Sequence, residues 1–305
     1  MNLNNNLSRK RIIITGCGYK PLQHTFYDVV TKKPSHNEIF VDGKEMKLNI
    51  GAAIVYVLAS QGAIVHMVST TREKLENIKQ DIVKQIGGTT KNVEYSVVDL
   101  LDETSVSNFV DSLPKDKELH WVQSIGLGAG SYKAKNGNPY LPLEEISLDL
   151  LEKESSIVLR GTHIMMQKLL PIFRDQPSHN IESRIVVISS MSAVRSYTRG
   201  GTHCAAKAAL SRYTNAAMLE LWKEKIYVTD IRPGGVDTGG YDNQFVQEAI
   251  LKIDSRWESY WNETGIHLAQ PISIGYAVQT VFNTPGGHIT SINLVGKGQS
   301  PNEGS

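Results

Sequence analysis

The sequence predicts a doubly wound α/β fold, in which helices cover both faces of a parallel β-sheet. Short runs of β-branched and apolar residues alternate with longer segments of helical spacing along most of the 305 residues. Strands that alternate with helices form right-handed crossovers, so neighbouring strands run parallel and both faces of the sheet are buried. No linker rich in Pro, Gly or Ser divides the chain, and we therefore expect a single domain.

The individual elements follow from periodicity, and each strand except the last is followed by a helix. Strands are predicted at Arg11–Ile14, Ala63–Val68, Val93–Val98, Leu119–Ile125, Arg184–Ser189, Ile226–Ile231 and Ile289–Val295. Helices are predicted at Ile50–Ser60, Thr71–Ile86, Thr104–Leu113, Asp149–Phe173, Cys204–Lys223 and Pro271–Phe282. This order is typical of a Rossmann-type domain with a parallel sheet of about seven strands.

Two segments interrupt the alternation. Residues 17–48 separate the first strand from the first helix and contain Asp42-Gly43 between apolar residues, which is a strong hairpin signal. Residues 239–270 follow the sixth strand and are rich in aromatic side chains. Loops of this length inside a compact domain are usually functional covers or tolerated elaborations.

Composition and charge exclude several classes of partner. The 32 basic and 31 acidic residues give a formal net charge of +1, so we expect no nucleic-acid partner. No uncharged apolar run reaches the roughly 18 residues of a membrane span, and the Asn-rich start lacks the apolar core of a signal peptide. Two cysteines fit a reducing compartment, and the histidines lack the spacing of metal ligands. We expect a cytoplasmic protein that binds neither a metal nor a membrane.

Six short motifs follow one another along the chain: Thr15-Gly16, Asn49-Ile50-Gly51, Asp99, Ser190, Lys207 and Pro233-Gly234. Their order resembles that of the short-chain dehydrogenase/reductases over nearly the whole chain, and most specifically over residues 185–238. The resemblance implies an NAD(P)(H)-dependent oxidoreductase acting on a small metabolite. It also implies that residues 239–270 cover the substrate. Aromatic residues there favour an apolar ligand but equally fit packing onto the body: Tyr241, Phe245, Trp257, Tyr260 and Trp261.

A glycine-rich turn after the first strand lets backbone approach a pyrophosphate at the start of the next helix. The resemblance assigns this role to Thr15, Gly16, Asn49, Ile50 and Gly51. Asn49 stands where the family has its middle glycine, and the insertion separates the two halves of the motif. Alternatively, the glycines serve only as turn residues.

The second strand ends without the carboxylate that typically binds the ribose 2′-hydroxyl of NAD. Ser69, Thr70 and Arg72 stand there instead and fit a 2′-phosphate, because an arginine offers a charge-assisted fork to phosphate. NADP(H) is therefore favoured over NAD(H), although a solvated helix start explains the same residues. Asp99, followed by Leu100, corresponds to the family's adenine contact, while Asp102 more naturally caps the next helix.

Further cofactor contacts are implied after the fourth and sixth strands. Ser124 and Gly126 lie in a Ser-Ile-Gly turn that resembles the enoyl-acyl-carrier reductases of the same superfamily, and this likeness stops at the turn. The stretch after the sixth strand matches the turn that faces the nicotinamide amide, where proline fixes φ and glycine permits close backbone approach. The residues implied there are Pro233, Gly234, Val236 and Thr238.

Ser190, His203 and Lys207 fall where the family has its Ser, Tyr and Lys, and positions 203 and 207 share a helix face. In the family the tyrosine gives a proton to the carbonyl, the lysine lowers the tyrosine pKa and holds the nicotinamide ribose, and the serine orients the substrate. An ordinary histidine titrates near pH 6.5 and a tyrosine near 10. Beside a lysine and an oxidised nicotinamide we expect a neutral His203, which accepts a proton in alcohol oxidation and is a poor proton source for reduction. A non-catalytic, pocket-lining His203 remains the alternative.

Two neighbouring residues bear on the same chemistry. Val158 replaces the asparagine that in the family helps to hold a water linking lysine to solvent, so this relay is expected to be absent or rerouted. Tyr197, between Ser190 and His203, is a candidate for a displaced catalytic phenol, although loop aromatics more often line pockets. Reduction of a conjugated C=C bond depends less on a tyrosine and is an alternative activity. A cofactor-binding or scaffold protein without catalysis is another.

The resemblance also implies self-association. Family members commonly pair through the helices that correspond to Asp149–Phe173 and Cys204–Lys223. We therefore expect a homodimer or homotetramer whose other partner is a small-molecule substrate.

Overall fold

The computed structural model describes residues 7–21, 38–86, 92–126, 141–176, 181–239, 268–296 and 299. Its strands are β1 (Lys10–Thr15), β2 (Tyr19–Pro21), β3 (Glu38–Val41), β4 (Lys44–Leu48), β5 (Ile64–Ser69), β6 (Val93–Val97), β7 (Glu118–Gln123), β8 (Ser183–Ile188), β9 (Ile226–Pro233) and β10 (Ser291–Leu294). Seven of them form one parallel sheet in the order β10-β9-β8-β7-β1-β5-β6. The predicted Rossmann-type α/β fold is confirmed.

The sheet is covered by α1 (Ile50–Ser60), α2 (Arg72–Ile86), α3 (Glu103–Asp111), α4 (Leu148–Ser155), α5 (Gly161–Asp175), α6 (Gly201–Leu221) and α7 (Pro271–Phe282). Alternate side chains of a strand point to opposite faces, and β1 shows this directly. Ile12 and Ile14 belong to a core shared with α1, α2 and α7, whereas Ile13 belongs to a second core shared with α3, α5 and α6. No helix in the described ranges is both long and apolar enough to cross a membrane.

The strand order reverses direction at β1. The chain moves from β1 outward to β5 and β6, then crosses back to β7 on the other side of β1. Ligands of open α/β sheets bind at the carboxyl ends of the strands where such a reversal opens a crevice. The ends of β1 and β7 therefore define where a site is expected.

The predicted helix Asp149–Phe173 contains an irregular turn. Residues Ser156–Arg160 form a π-helical turn between α4 and α5, with the Gly161 N–H bonded to the carbonyl of Ser156. A Cβ at Gly161 would lie 3.3 Å from the Cβ of Leu100, so the helix crosses the end of the sheet closely at this point. The prediction of one uninterrupted α-helix over Asp149–Phe173 is therefore wrong at this turn. π turns of this kind are frequent at functional sites.

The insertion of residues 17–48 folds into a small antiparallel sheet of order β2-β4-β3. Asp42 and Gly43 both have positive φ, at 51° and 75°, which confirms the predicted two-residue hairpin turn. β2 is a third strand that the sequence did not predict. Tyr19 joins the larger core, and its hydroxyl accepts a 2.9 Å hydrogen bond from Asn77 on α2. The described part of the insertion is thus packed against the body.

Candidate active site

The split glycine turn is closed at its base by hydrogen bonds. The Gly18 N–H donates to Asn49 Oδ1 at 3.0 Å, and the Asn49 N–H donates to the Gly18 carbonyl at 2.9 Å. Asn49 Nδ2 also donates to the Gly16 carbonyl at 2.7 Å. The same Asn49 Oδ1 caps α1 by accepting from the Ala52 N–H at 3.0 Å. The two ends of the insertion, at Gly18 and Asn49, therefore lie side by side and form a narrow neck. The two halves of the glycine motif stay adjacent.

Two glycines in this turn have no room for a side chain. Gly16 has φ of +90°, and a Cβ on it would lie 2.5 Å from the Ser124 carbonyl oxygen. A Cβ on Gly51 would lie 2.7 Å from the Gly16 carbonyl oxygen. Strand end, turn and helix start are thus in backbone contact, as a pyrophosphate-binding turn requires. Thr15 is fully buried beneath the turn, and Ile50 begins α1.

The end of β5 presents polar groups to solvent. Ser69 is half-buried, Thr70 is exposed, and the Arg72 side chain is 68% exposed at the start of α2. Arg72 lies 3.9 Å from Glu76 on the same helix, and an exposed pair of this kind stabilises by only about 0.5 kcal/mol. That contact is too weak to withhold the guanidinium from a ligand.

The neighbouring strand end separates the roles of two aspartates. Asp102 accepts from the Thr104 N–H at 2.9 Å and caps α3, as predicted. Asp99 is exposed, and its Oδ1 accepts from the Leu101 N–H at 2.9 Å. Leu100 between them is buried against Gly161. Asp99 therefore does not cap α3, and its carboxylate instead holds the backbone two residues further along the chain.

Lys207 connects the nucleotide turn to the opposite half of the sheet. Its Nζ donates to the Ile188 carbonyl at the end of β8 at 3.3 Å. A Cβ at Gly126 would lie 2.9 Å from the same Nζ, so the Ser124–Gly126 turn passes directly over the ammonium. Ser124 Oγ is buried and has no hydrogen-bond partner among the described residues. The structure thus brings together the predicted Gly16, Ser124, Gly126 and Lys207.

The electrostatics of Lys207 are unusual for a lysine. Burial lowers the pKa of its ammonium from 10.5 to about 8, while the carboxylates of Glu154 and Asp230 oppose this change. Asp230 is itself held by Arg232 at 2.8 Å and by the hydroxyls of Ser189 and Ser211. The Glu154 carboxylate has fewer partners: Oε1 contacts His203, and Oε2 has no hydrogen-bond partner among the described residues.

His203 has a partner that sequence reasoning missed. Its Nδ1 lies 2.9 Å from Oε1 of Glu154, which is fully buried on α4. The expectation that only positive groups lie beside His203 is wrong, because the Glu154 carboxylate contacts its ring. One available signal was that Glu154 stands four residues before Val158, on the same face of a helix whose stripe is otherwise apolar.

Val158 stands where the family resemblance expects the asparagine of the proton relay. Val158 is fully buried in the second core. Its carbonyl accepts a 2.6 Å hydrogen bond from Thr162 Oγ1, which in turn accepts from Gln123 Nε2 at 2.7 Å. The Val158 side chain offers no polar group, and the Glu154 carboxylate lies about one helical turn before it in the sequence.

Two further predicted residues lie between β8 and α6. Ser190 Oγ accepts from the Ser192 N–H at 3.0 Å, capping a short 3₁₀ turn, and its hydroxyl hydrogen remains able to donate. The Tyr197 ring packs over Gly200 at the start of α6 so closely that a Cβ there would overlap it. Tyr197 is 38% exposed, and its catalytic role stays a prediction.

The turn after β9 is held from two directions. The Gly234 N–H continues the sheet by donating to Leu294, and the Gln299 amide pairs with both the N–H and the carbonyl of Gly235. Asp237 forms a 2.7 Å ion pair with Lys47 of β4, and both side chains are buried. This ion pair therefore connects the insertion to the predicted cofactor turn, which contains Pro233, Gly234, Val236 and Thr238. Of the predicted cover at residues 239–270, the part from 240 to 267, with its five aromatic residues, lies outside the described ranges.

Comparison with known proteins identifies the family to which the chain belongs. A family model for short chain dehydrogenases matches residues 47–249. The chain belongs to the short-chain dehydrogenase family. Levodione reductase of Leifsonia aquatica is 25% identical over 198 residues, covering 65% of this chain and 69% of that protein. An uncharacterized oxidoreductase of Bacillus subtilis (strain 168), YxbG, is 25% identical over 189 residues, covering 62% of this chain and 63% of that protein.

Solved structures of this family share the fold. An alcohol dehydrogenase from the archaeon Thermococcus sibiricus, complexed with 5-hydroxy-NADP, has a TM-score of 0.67 and 20% identity, covering 96% of this chain and 99% of that chain. An NADPH-bound short chain oxidoreductase from Pseudomonas aeruginosa PAO1, containing an atypical catalytic center, has a TM-score of 0.68 and 17% identity, covering 96% of this chain and 98% of that chain. At such identities the likeness concerns the fold alone. Within the described ranges no three His, Cys, Asp or Glu side chains form a metal-binding group.

Proposed function

We propose that this short-chain dehydrogenase family oxidoreductase uses NADP(H), acts on a small apolar alcohol or ketone, and exchanges the proton through His203 instead of a tyrosine. The observation that carries the proposal is the run of contacts from Gly16 through Ser124 and Gly126 to the buried Lys207 ammonium. These contacts join the proposed pyrophosphate-binding turn to Lys207, one of the proposed catalytic side chains. Ser190, just after β8, and His203 on α6 both precede Lys207 in the chain, and His203 lies about one helical turn before it.

The described residues fit a nicotinamide dinucleotide. The close turn of Gly16 and Gly51 suits the pyrophosphate, and the buried Ser124 Oγ, which has no hydrogen-bond partner among the described residues, offers a hydrogen bond beside Lys207. We assign the adenine side to Asp99 and Leu100, and the nicotinamide side to Lys207 and residues Pro233, Gly234, Val236 and Thr238. Structures of the same fold bind 5-hydroxy-NADP and NADPH, which supports this class of cofactor.

The preference for NADP(H) rests on the end of β5. Arg72 has a mostly exposed guanidinium, Ser69 and Thr70 have accessible hydroxyls, and none of the three is a carboxylate. An arginine binds a 2′-phosphate through charge-assisted hydrogen bonds. Arg72→Ala should therefore weaken NADPH about tenfold or more and leave NADH nearly unchanged, as measured by fluorescence titration of both. Equal weakening of the two would contradict the assignment.

When bound, the nicotinamide supplies the hydride donor or acceptor. In the oxidising direction, Ser190 Oγ donates a hydrogen bond to the substrate oxygen and holds it beside His203. His203 Nε2 accepts the proton of the substrate O–H as the C–H hydride leaves, so alcohol becomes ketone and the imidazole becomes imidazolium. That proton then passes to solvent from the same nitrogen. The Lys207 ammonium holds the ribose and favours the developing negative charge on the substrate oxygen.

The test is turnover by the purified full-length chain. NADPH and NADP⁺ binding is measured first, and initial rates are then followed on a panel of apolar alcohols, ketones and enones. The proposal expects tight cofactor binding and oxidation of an alcohol, with His203→Gln lowering the rate about 100-fold or more while cofactor binding persists. Binding without hydride transfer to any acceptor would indicate a cofactor-binding scaffold instead. Activity on enones but not on saturated ketones would indicate C=C reduction.

Assembly and location complete the proposal. Apolar side chains of α4 and the end of α6 are exposed, which supports a homodimer or homotetramer formed through these helices: Leu148, Leu151, Leu219 and Trp222. Both cysteines are free thiols, which fits the proposed cytoplasmic location. Sedimentation of the purified protein tests the assembly, and a monomer at micromolar concentration would contradict it.

A further inference from the structure

We infer that Glu154 is a positioning residue for His203, holding the imidazole with its proton on Nδ1 and leaving the Nε2 lone pair for the substrate. The inference rests on the proposed role of His203 as acid and base. It names a residue outside the Ser, Tyr and Lys pattern on which the family resemblance was built.

The geometry fixes one tautomer. Glu154 Oε1 lies 2.9 Å from Nδ1, and an ionised carboxylate only accepts hydrogen bonds, so Nδ1 must carry the hydrogen. In the neutral ring Nε2 is then the acceptor. Among the described residues no hydrogen bond is made to Nε2, and the His203 side chain is 14% exposed. The nitrogen able to accept a substrate proton is therefore the one opposite Glu154.

The energetics argue against a purely structural role for Glu154. Its side chain is fully buried, and Oε2 has no hydrogen-bond partner among the described residues. A buried carboxylate with a vacant acceptor is costly, and well-packed apolar residues often replace buried ion pairs without loss of stability. A residue retained only to join α4 and α6 would be better satisfied or apolar. A group that must stabilise an imidazolium formed during turnover has a reason to stay charged.

Local structure explains how the carboxylate reaches the ring. Glu154 is the penultimate residue of α4, and the π turn Ser156–Arg160 begins two residues later. A π turn accommodates an extra residue, which rotates α4 relative to α5 and changes which side chains face the neighbouring helix. α4 packs against α6, where His203 lies in the first turn. The irregular turn thus aims Glu154 at His203 while Val158 stays in the apolar core.

Protons balance without any transfer to Glu154. The substrate O–H proton moves to Nε2, giving an imidazolium whose Nδ1–H is already bonded to the carboxylate. The positive charge is stabilised across that hydrogen bond, and the Nε2 proton later leaves to solvent. Glu154 accepts no proton in this scheme, which is the role of the orienting carboxylate in histidine-based triads.

The first readout needs no substrate. Nitrogen-15 NMR of the imidazole rings, in cofactor-free protein at a pH where His203 is neutral, reports which ring nitrogen is protonated, with His203 assigned by its absence in His203→Gln. We expect the Nδ1–H form in the wild type. Glu154→Leu removes the acceptor and should convert His203 to the Nε2–H form, while the exposed-residue control Glu152→Gln should change nothing. Wild-type protein in the Nε2–H form would overturn the inference.

The second readout is turnover with stability measured on the same samples. Glu154→Leu should lower kcat about 100-fold or more and leave KM near wild type, because the loss concerns ring orientation, and the unfolding midpoint of each variant establishes that it is folded under assay conditions. The isosteric Glu154→Gln keeps the shape of the side chain and removes its charge. We expect this variant to lose rate as well, which would show that charge and not volume is needed. Full activity in both variants alongside an inactive His203→Gln would overturn the inference and leave the proposed function standing. An active His203→Gln would overturn the proposed function itself.

Discussion

The proposed nucleotide turn and the helix pair that carries the proposed catalytic residues (α4–α5 and α6) both depart from the family pattern, but by different kinds of change. The turn carries residues 17–48 as an insertion, whereas the helix pair carries His203 and Val158 where the family resemblance has tyrosine and asparagine. In the turn, Gly18 and Asn49 close the neck by hydrogen bonds and the backbone path is restored. In the helix pair, His203 stands at the tyrosine position, and the Glu154 carboxylate is its hydrogen-bond partner.

The difference shows what each region must supply. A pyrophosphate site is made of backbone groups, so any insertion that leaves the backbone path intact is tolerated. A proton-transfer site depends on particular side-chain atoms, so a substitution there changes the reaction unless other side chains change with it. The turn should therefore be sensitive to backbone and packing changes, and the helix pair to changes of charge.

The largest expected effect comes from breaking the ion pair between the insertion and the cofactor turn. Lys47→Met would leave the Asp237 carboxylate buried beside an apolar side chain, which costs about 3–5 kcal/mol. Chemical denaturation should show this loss, and NADPH affinity should fall because the turn after β9 loses its tether. The double variant Lys47→Met with Asp237→Leu should recover most of the stability. No recovery would mean that the pair does not act as a unit.

A backbone change in the turn should have the next largest effect. Gly16→Ala places a Cβ 2.5 Å from the Ser124 carbonyl at φ of +90°, and we expect a loss of about 2–4 kcal/mol together with loss of NADPH binding. Gly43→Ala is the matched control, since Gly43 also has positive φ but nothing lies within 4 Å of its Cβ. It should cost only about 1–2 kcal/mol and leave binding unchanged. Equal losses in the two variants would show that strain alone, without the close contact, matters.

The charge of Lys207 should make stability depend on pH. Its pKa in the folded chain is about 8, below the ordinary 10.5, so the unfolded chain binds more protons between these values. Relative to Lys207→Met, the wild-type free energy of unfolding should rise from about pH 8 towards 10.5, by on the order of 2–3 kcal/mol. Below about pH 8 the difference should be flat. A difference that falls as pH rises would contradict a buried ammonium with a lowered pKa.

Sequence reasoning recovered the parts of the molecule that depend on local pattern. The seven strands of the sheet, the Asp42-Gly43 hairpin and the Asp102 cap follow from periodicity and turn chemistry, which neighbouring residues determine. The Lys47–Asp237 pair joins residues far apart in the chain, and no local pattern indicates it. Glu154 was missed because its contact joins two helices: a carboxylate on an apolar helix stripe was a visible signal, but that signal did not identify His203 as its partner.

The most direct measurement is a crystal structure of the full chain with NADP⁺ bound. The pyrophosphate should lie at the turn of Gly16 and Gly51, with the nicotinamide between Lys207 and residues 233–238. His203 should keep its Nδ1 bond to Glu154 and present Nε2 towards the substrate side of the nicotinamide ring. A nucleotide bound elsewhere, or a His203 ring turned away from the nicotinamide with its bond to Glu154 broken, would contradict a retained nucleotide frame with a Glu154–His203 proton-transfer pair.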